Sequence, residues 1–326
     1  MRICVVGAGA IGGYLGAKLA LIGEEVTLIA RGKHLQAIQE QGLTLQMSDG
    51  SSEVVKPTLA TSEFPNDEYD VVVLTMKAHS LPPMAAKIKN LCGPNTVIIA
   101  AQNGIPWWYF HKHGGELEGR RIESVDPDGV IESTIDTNQV IGCVVYPAAE
   151  TVGPGVIRHV EGNRFSLGEL DGSSTERIQR ISAVFTKAGL KAPVRRDIRS
   201  ELWVKLWGNL AFNPISALTR ATLVDICTHS LTRDLASQMM AEAQEVAQKL
   251  GVRFGVTIDQ RIQGAEEVGA HKTSMLQDIE TGRPTEVDAL VGAVCELGRA
   301  TETPTPHIDS VFAAVKLLEL TLKNNN

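Results

Sequence analysis

The chain has 326 residues, which at roughly 100–200 residues per domain suggests two domains. An apolar fraction of 43% and a charged fraction of 21% are ordinary globular usage and exclude disorder over most of the length. The net charge of −7, from 31 Lys+Arg against 38 Asp+Glu, argues against a nucleic-acid partner, since such binders carry a basic excess or stripe. The short cluster Arg195, Arg196 and Arg199 contains Asp197 and reads as a solvated linker.

The five cysteines (Cys4, Cys92, Cys143, Cys227 and Cys295) are odd in number, widely spaced and without a CxxC pair. Buried reduced thiols are expected, with neither a disulfide framework nor a metal site. No apolar run reaches the roughly 18 residues of a membrane span. Met1-Arg2 leads straight into an apolar strand, so a cytoplasmic protein without a leader or membrane partner is expected.

In chain order, residues 2–6 predict a strand, followed at once by Gly7-Ala8-Gly9-Ala10-Ile11-Gly12. Residues 14–22 carry helical spacing and stop at Gly23, and Val26 to Ile29 predicts a second strand. Strand, glycine turn, helix and strand within about 30 residues is a βαβ unit. Residues 71–74 and 97–100 predict buried parallel strands, with a helix near 84–90 between them. Residues 107–139 predict a long polar loop that opens with Trp107-Trp108-Tyr109-Phe110. Residues 140–146, 155–160 and 164–167 predict strands added at the sheet edge, and 175–188 a closing helix. After Pro193 the strand signals stop, and residues 200–213, 233–250, 257–269, 286–300 and 308–322 predict helices. The expected fold is an α/β Rossmann-type domain over 1–196 and an all-helical domain over 197–326, with a cleft between them. A homodimer through the helical half is also expected.

Gly-x-Gly-x-x-Gly after a strand and opening a helix points to a dinucleotide. The first glycine permits the turn, the second the approach of the pyrophosphate, and the third close helix–strand packing. The helix N-terminus adds free N–H groups and partial positive charge. An NAD site usually places an acid at the end of the second strand. Here the strand ends Leu28-Ile29-Ala30-Arg31, so a ribose phosphate paired with Arg31, hence NADP(H), is the reading; a solvated turn arginine is the alternative. Lys77 and Asn103 follow strands at the carboxyl end of the sheet, where ligands bind. A surface lysine and an ordinary Asn-Gly turn are the bland alternatives.

In the second half, Lys205, Asn209 and Asn213 stand at i, i+4 and i+8 among Leu202, Trp203, Leu206, Trp207, Leu210 and Phe212. They form one stripe, drifting about 40° per step. Unpartnered burial of such a stripe is costly, so it faces either a cleft or solvent. In a cleft, a lysine can act as proton donor. Further on, Thr285 can cap a helix with Glu286 in its first turn, or Glu286 can serve the lysine.

These features resemble the ketopantoate reductase (2-dehydropantoate 2-reductase) family across essentially the whole chain. The residues that carry the resemblance are Gly7-Ala8-Gly9-Ala10-Ile11-Gly12, Lys77-Ala78, Gln102-Asn103-Gly104, Lys205 with Asn209 and Asn213-Pro214, and Ser274-Met275-Leu276-Gln277-Asp278 with Thr285-Glu286 and Asp288. The resemblance implies an oxidoreductase that uses NADPH to reduce a 2-keto acid, 2-dehydropantoate to pantoate in pantothenate biosynthesis. It implies Lys205 as general acid and Glu286 as its partner. Asn103, Lys205, Asn209, Asn213 and Ser274 would bind substrate. The glycine loop from Gly7 to Gly12, with Arg31, Lys77, Asn103 and the backbone at Ala148, would hold the cofactor. Two departures stand out: Ser80 where glutamine is usual, and the stretch from Trp107, absent from shorter members. The aromatics there suggest a reshaped pocket and a bulkier 2-keto acid as an alternative substrate. A dinucleotide sensor without turnover is the alternative outside enzymes.

Overall fold

A computed structural model describes residues 1–324, which form two compact units. The first holds Met1–Gln102, Trp107–Arg121 and Asp128–Ile198; the second holds Asn103–Pro106, Ile122–Pro127 and the chain from Arg199 on.

The first unit opens with β1 (Arg2–Val6), α1 (Ala10–Leu21) and β2 (Glu25–Ile29). β1 and β2 run parallel, with Arg2 opposite Glu25 and Val6 opposite Ile29. Then come α2 (Gly32–Gln41), β3 (Leu43–Gln46), β4 (Ser52–Val55), β5 (Leu59–Thr61), β6 (Val71–Leu74), α3 (Ala85–Lys89) and β7 (Val97–Ala100). The unit closes with β8 (Val140–Val145), β9 (Ala148–Gly153), β10 (Val156–Glu161), β11 (Phe165–Glu169) and α4 (Glu176–Lys187). The main sheet has the order β11-β8-β7-β6-β1-β2-β5 and is parallel except for the edge strand β11. β6 and β7 are apolar throughout, and β1 is apolar after the exposed Arg2, because both faces of the sheet are covered.

The expected edge strands divide between two sheets. Residues 140–145 and 165–169 join the main sheet, but 156–161 do not. They pair with β3 and β9 in a second sheet of order β4-β3-β10-β9. Burial explains the split: β8 is buried at every position, whereas β10 alternates, as a strand covered on one face must. This sheet packs on α1 at a glycine; a Cβ on Gly13 would stand 2.7 Å from the Ile157 side chain.

The segment 107–139 is the expected long loop, with only short 3-10 turns at Pro127–Gly129 and Thr137–Gln139. Trp107, Trp108, Tyr109 and Phe110 are 7%, 2%, 0% and 1% exposed. The Trp108 ring lies against Gly142 of β8, where a Cβ would come within 2.8 Å, and Tyr109 and Phe110 meet edge to face at 5.0 Å. All four aromatics expected to reshape a substrate pocket are buried side chains.

The second unit is built from α5 (Ile198–Thr219), α6 (Leu223–Thr228), α7 (Ser230–Lys249), α8 (Ile258–Glu267), α9 (Ser274–Glu280), a π-helical turn at Asp288–Gly292, α10 (Ala293–Ala300) and α11 (Pro306–Asn324). Residues 122–127 are tied into it: the Glu296 carboxylate of α10 accepts from the Glu123 and Ser124 N–H groups at 2.8 and 2.9 Å and from the Ser124 hydroxyl at 2.6 Å. Among the described residues no helix is long and apolar enough to cross a membrane. None of the five cysteines is in a disulfide, and burial pushes Cys4 up to about 12 and Cys92 and Cys227 up to about 11, far from thiolate chemistry.

Candidate active site

The glycine loop of the first unit is built for close approach. Gly7 has φ +103°, and a Cβ there would lie 2.9 Å from the Met76 nitrogen. The Thr75 hydroxyl donates to the Gly7 carbonyl at 2.8 Å, and a Cβ on Gly12 would stand 2.2 Å from that same oxygen. Gly9 is different: a Cβ there would meet nothing within 4 Å, so space opens on that side of the loop. Gly9 is also the N-cap of α1, and its carbonyl accepts the first helical bond from Gly13 at 2.7 Å. The N–H groups of Ala10, Ile11 and Gly12 therefore have no intrahelical acceptor. An open glycine face beside first-turn N–H groups fits a pyrophosphate.

The other cofactor candidates lie at the same end of the parallel strands. Arg31 is exposed at the N-cap of α2, directly after β2. Lys77 is half-buried in the turn after β6, next to Met76, whose carbonyl accepts from Gln102 at 3.0 Å. Ala148 begins β9 in the small sheet. The sequence reading missed Thr75 and Met76, because nothing local in the chain marks a residue that packs beneath a loop some 70 positions away.

In the second unit the helical stripe has partners at both ends. The Lys205 ammonium donates to Asn103 Oδ1 at 2.6 Å, and Asn103 Nδ2 donates to Glu286 Oε2 at 3.4 Å. A cation on the amide oxygen and a carboxylate on the amide nitrogen fix which way the Asn103 amide faces. Four residues beyond Asn209, Asn213 is 5% exposed and donates from Nδ2 to the Ser274 hydroxyl at 3.4 Å. Ser274 is exposed at the start of α9, and Lys205, Asn209, Asn103 and Glu286 are half-buried. The structure thus brings Lys205, Asn103 and Glu286 into one chain of contacts, and Asn213 and Ser274 into another.

Backbone geometry holds Asn103 in place. The π-helical turn starts two residues after Glu286, and the Ala289 carbonyl accepts from the Ile105 N–H at 2.9 Å. Such turns often mark functional sites. Between them Gly104 has φ +87°, and a Cβ there would come within 2.5 Å of that carbonyl. Thr285 steadies the other flank, its hydroxyl donating to the Glu319 carboxylate of α11 at 2.6 Å and accepting from the Val287 N–H at 3.2 Å. Gly104→Ala should therefore move Asn103 away from Lys205 and cut turnover by about tenfold or more, a close-approach cost of roughly 1–3 kcal/mol. Steady-state kinetics beside a thermal melt check this; a fully active, fully stable variant would refute it.

A doubly wound parallel sheet with this glycine loop, joined to a helical unit bearing a lysine–asparagine–carboxylate chain, defines a two-unit dinucleotide-dependent oxidoreductase class. The chain belongs to the ketopantoate reductase family: "Ketopantoate reductase PanE/ApbA" matches residues 3–172, and "Ketopantoate reductase PanE/ApbA C terminal" matches 197–319. A 2-dehydropantoate 2-reductase of Mesorhizobium japonicum is 55% identical over 319 residues, covering 98% of each chain. One from Pyrococcus horikoshii is 29% identical over 320 residues, with the same 98% coverage of both. Among solved structures, a candidate ketopantoate reductase of Ralstonia solanacearum superposes with a TM-score of 0.93 at 43% identity, covering 98% of each chain.

Proposed function

We propose that this protein is an NADPH-dependent 2-keto acid reductase acting on 2-dehydropantoate to give pantoate. The observation that carries the reading is the Lys205–Asn103–Glu286 chain, because a ketone reductase needs a held proton donor. The 55% identity to a 2-dehydropantoate 2-reductase supports the substrate.

The nicotinamide, when bound, supplies a hydride to the ketone carbon. Gly7 to Gly12, Arg31, Lys77 and the Ala148 backbone are the residues that would hold the dinucleotide. As charge develops on the ketone oxygen, the Lys205 ammonium meets it and gives up a proton from Nζ. Asn103 Oδ1 orients Nζ for that transfer, and Glu286 fixes the Asn103 amide through Nδ2. Asn209, Asn213 and Ser274 offer two amides and a hydroxyl to the substrate carboxylate. Leaving a buried amide such as that of Asn213 without a partner costs about 1–3 kcal/mol, which disfavours ketones lacking the carboxylate.

The test is NADPH oxidation over a panel of 2-keto acids, simple ketones and aldehydes. 2-Dehydropantoate should be the best substrate, and a panel with no turnover would overturn the reading. The choice of NADPH over NADH rests on Arg31, with no acid at the end of β2. A charge-assisted contact contributes about 1.5–3 kcal/mol, or roughly tenfold or more in affinity. Arg31→Ala should lose that factor for NADPH and leave NADH unchanged, as titration calorimetry with both cofactors would read. Equal affinities in the wild type would refute the assignment.

A further inference from the structure

His34 touches two pieces of backbone that are far apart in sequence. Its Nδ1 lies 3.0 Å from the Gly155 nitrogen, and its Nε2 lies 2.8 Å from the Ala8 carbonyl oxygen. These partners settle the tautomer. A backbone N–H can only donate, so Nδ1 accepts; a carbonyl can only accept, so Nε2 carries the proton. The ring is neutral and spans the turn between β9 and β10 and the second residue of the glycine loop. Burial holds its pKa below the usual histidine range, against the opposing pull of the Ala8 carbonyl.

The pinned peptide matters for the loop. The Ala8–Gly9 peptide is held at both ends: its carbonyl by His34 and its N–H by the Gly7 carbonyl at 2.7 Å. The plane turns on ψ of Ala8 and φ of Gly9, and glycine resists backbone rotation least. This plane immediately precedes the N–H groups of Ala10, Ile11 and Gly12, so its orientation decides where they point. We propose that His34 is a positioning residue for the cofactor: through Ala8 it presets the glycine loop for the pyrophosphate and so sets dinucleotide affinity. The proposal rests on the NAD(P)H-binding reading of that loop. Preorganisation of this kind acts by lowering the ordering cost of binding.

Two conservative substitutions separate the two contacts. In His34→Gln the amide nitrogen sits as many bonds from the backbone as Nε2 and can still donate to Ala8. In His34→Asn the amide oxygen matches Nδ1 and can still accept from Gly155, but nothing reaches Ala8. The Kd of NADPH should rise about threefold to tenfold in His34→Asn and in His34→Leu, the scale of one lost hydrogen bond, and stay near wild type in His34→Gln. The change should fall on KM for NADPH rather than on kcat, and thermal melts of all three report folding. Wild-type affinity in a folded His34→Leu, or rescue by Asn in place of Gln, would overturn the proposal. A wild-type protein that bound neither NADPH nor NADH would overturn the cofactor reading itself, and this proposal with it.

Discussion

Lys205→Ala is expected to lower kcat for 2-dehydropantoate by about 10²–10⁴-fold, the usual worth of a positioned general acid. The Kd of NADPH should hardly change, since Lys205 belongs to the helical unit whereas the glycine loop, Arg31 and Lys77 belong to the other. The loss should exceed that of a simple charge contact, because the 2.6 Å bond to Asn103 Oδ1 also ends and the amide loses its reason to face one way. Lys205→Arg divides the two roles. Guanidinium keeps the positive charge but holds its proton too tightly to serve as an acid near neutral pH. It should recover little turnover if proton donation dominates, and much of it if electrostatic stabilisation dominates. Single-turnover kinetics with saturating NADPH read the chemical step directly. Near-normal turnover in Lys205→Ala would remove the lysine from the mechanism.

The parts of this molecule legible in its sequence are those whose partners are close in sequence. β1, the glycine turn, α1 and β2 lie within one stretch, and each carries its own apolar pattern. The stripe Lys205, Asn209 and Asn213 follows from helical geometry alone. Elements with little to bury escaped: β4 is exposed at three of its four positions, and α2 buries only Ile38, so neither leaves an apolar run to read. Composition misleads where a residue type serves two ends. Trp107 to Phe110 suit a substrate pocket and a core equally well, and their burial fits both.

The site itself shows the same limit. Asn103 and Glu286 are 183 positions apart, and no spacing rule joins them; the family resemblance gave both as site residues but paired Glu286 with Lys205, not with Asn103. An Asn-Gly pair is read locally as a turn. That Gly104 must also clear the Ala289 carbonyl depends on a π-helical turn far along the chain. His34 is quieter still, since its two backbone partners carry no side-chain signature at all.

Gly12→Ala and Gly9→Ala should both abolish tight NADPH binding, but for different reasons that a pair of measurements separates. A methyl on Gly12 would stand 2.2 Å from the Gly7 carbonyl oxygen and 2.4 Å from the Thr75 hydroxyl, and that carbonyl is itself held by Thr75. Overpacking of this kind costs about 1–3 kcal/mol in the protein before any ligand arrives. The melting temperature should fall, and the Kd of NADPH should rise by roughly tenfold to a hundredfold as the loop shifts to relieve the contact. Gly9 has φ −74°, open to any residue, and its methyl would meet nothing within 4 Å. Gly9→Ala should therefore melt like the wild type. Its loss of NADPH affinity would come entirely from a methyl group standing where the pyrophosphate must approach the backbone. A Gly9→Ala protein that binds NADPH as tightly as the wild type would mean that the open side of the loop is not the phosphate site.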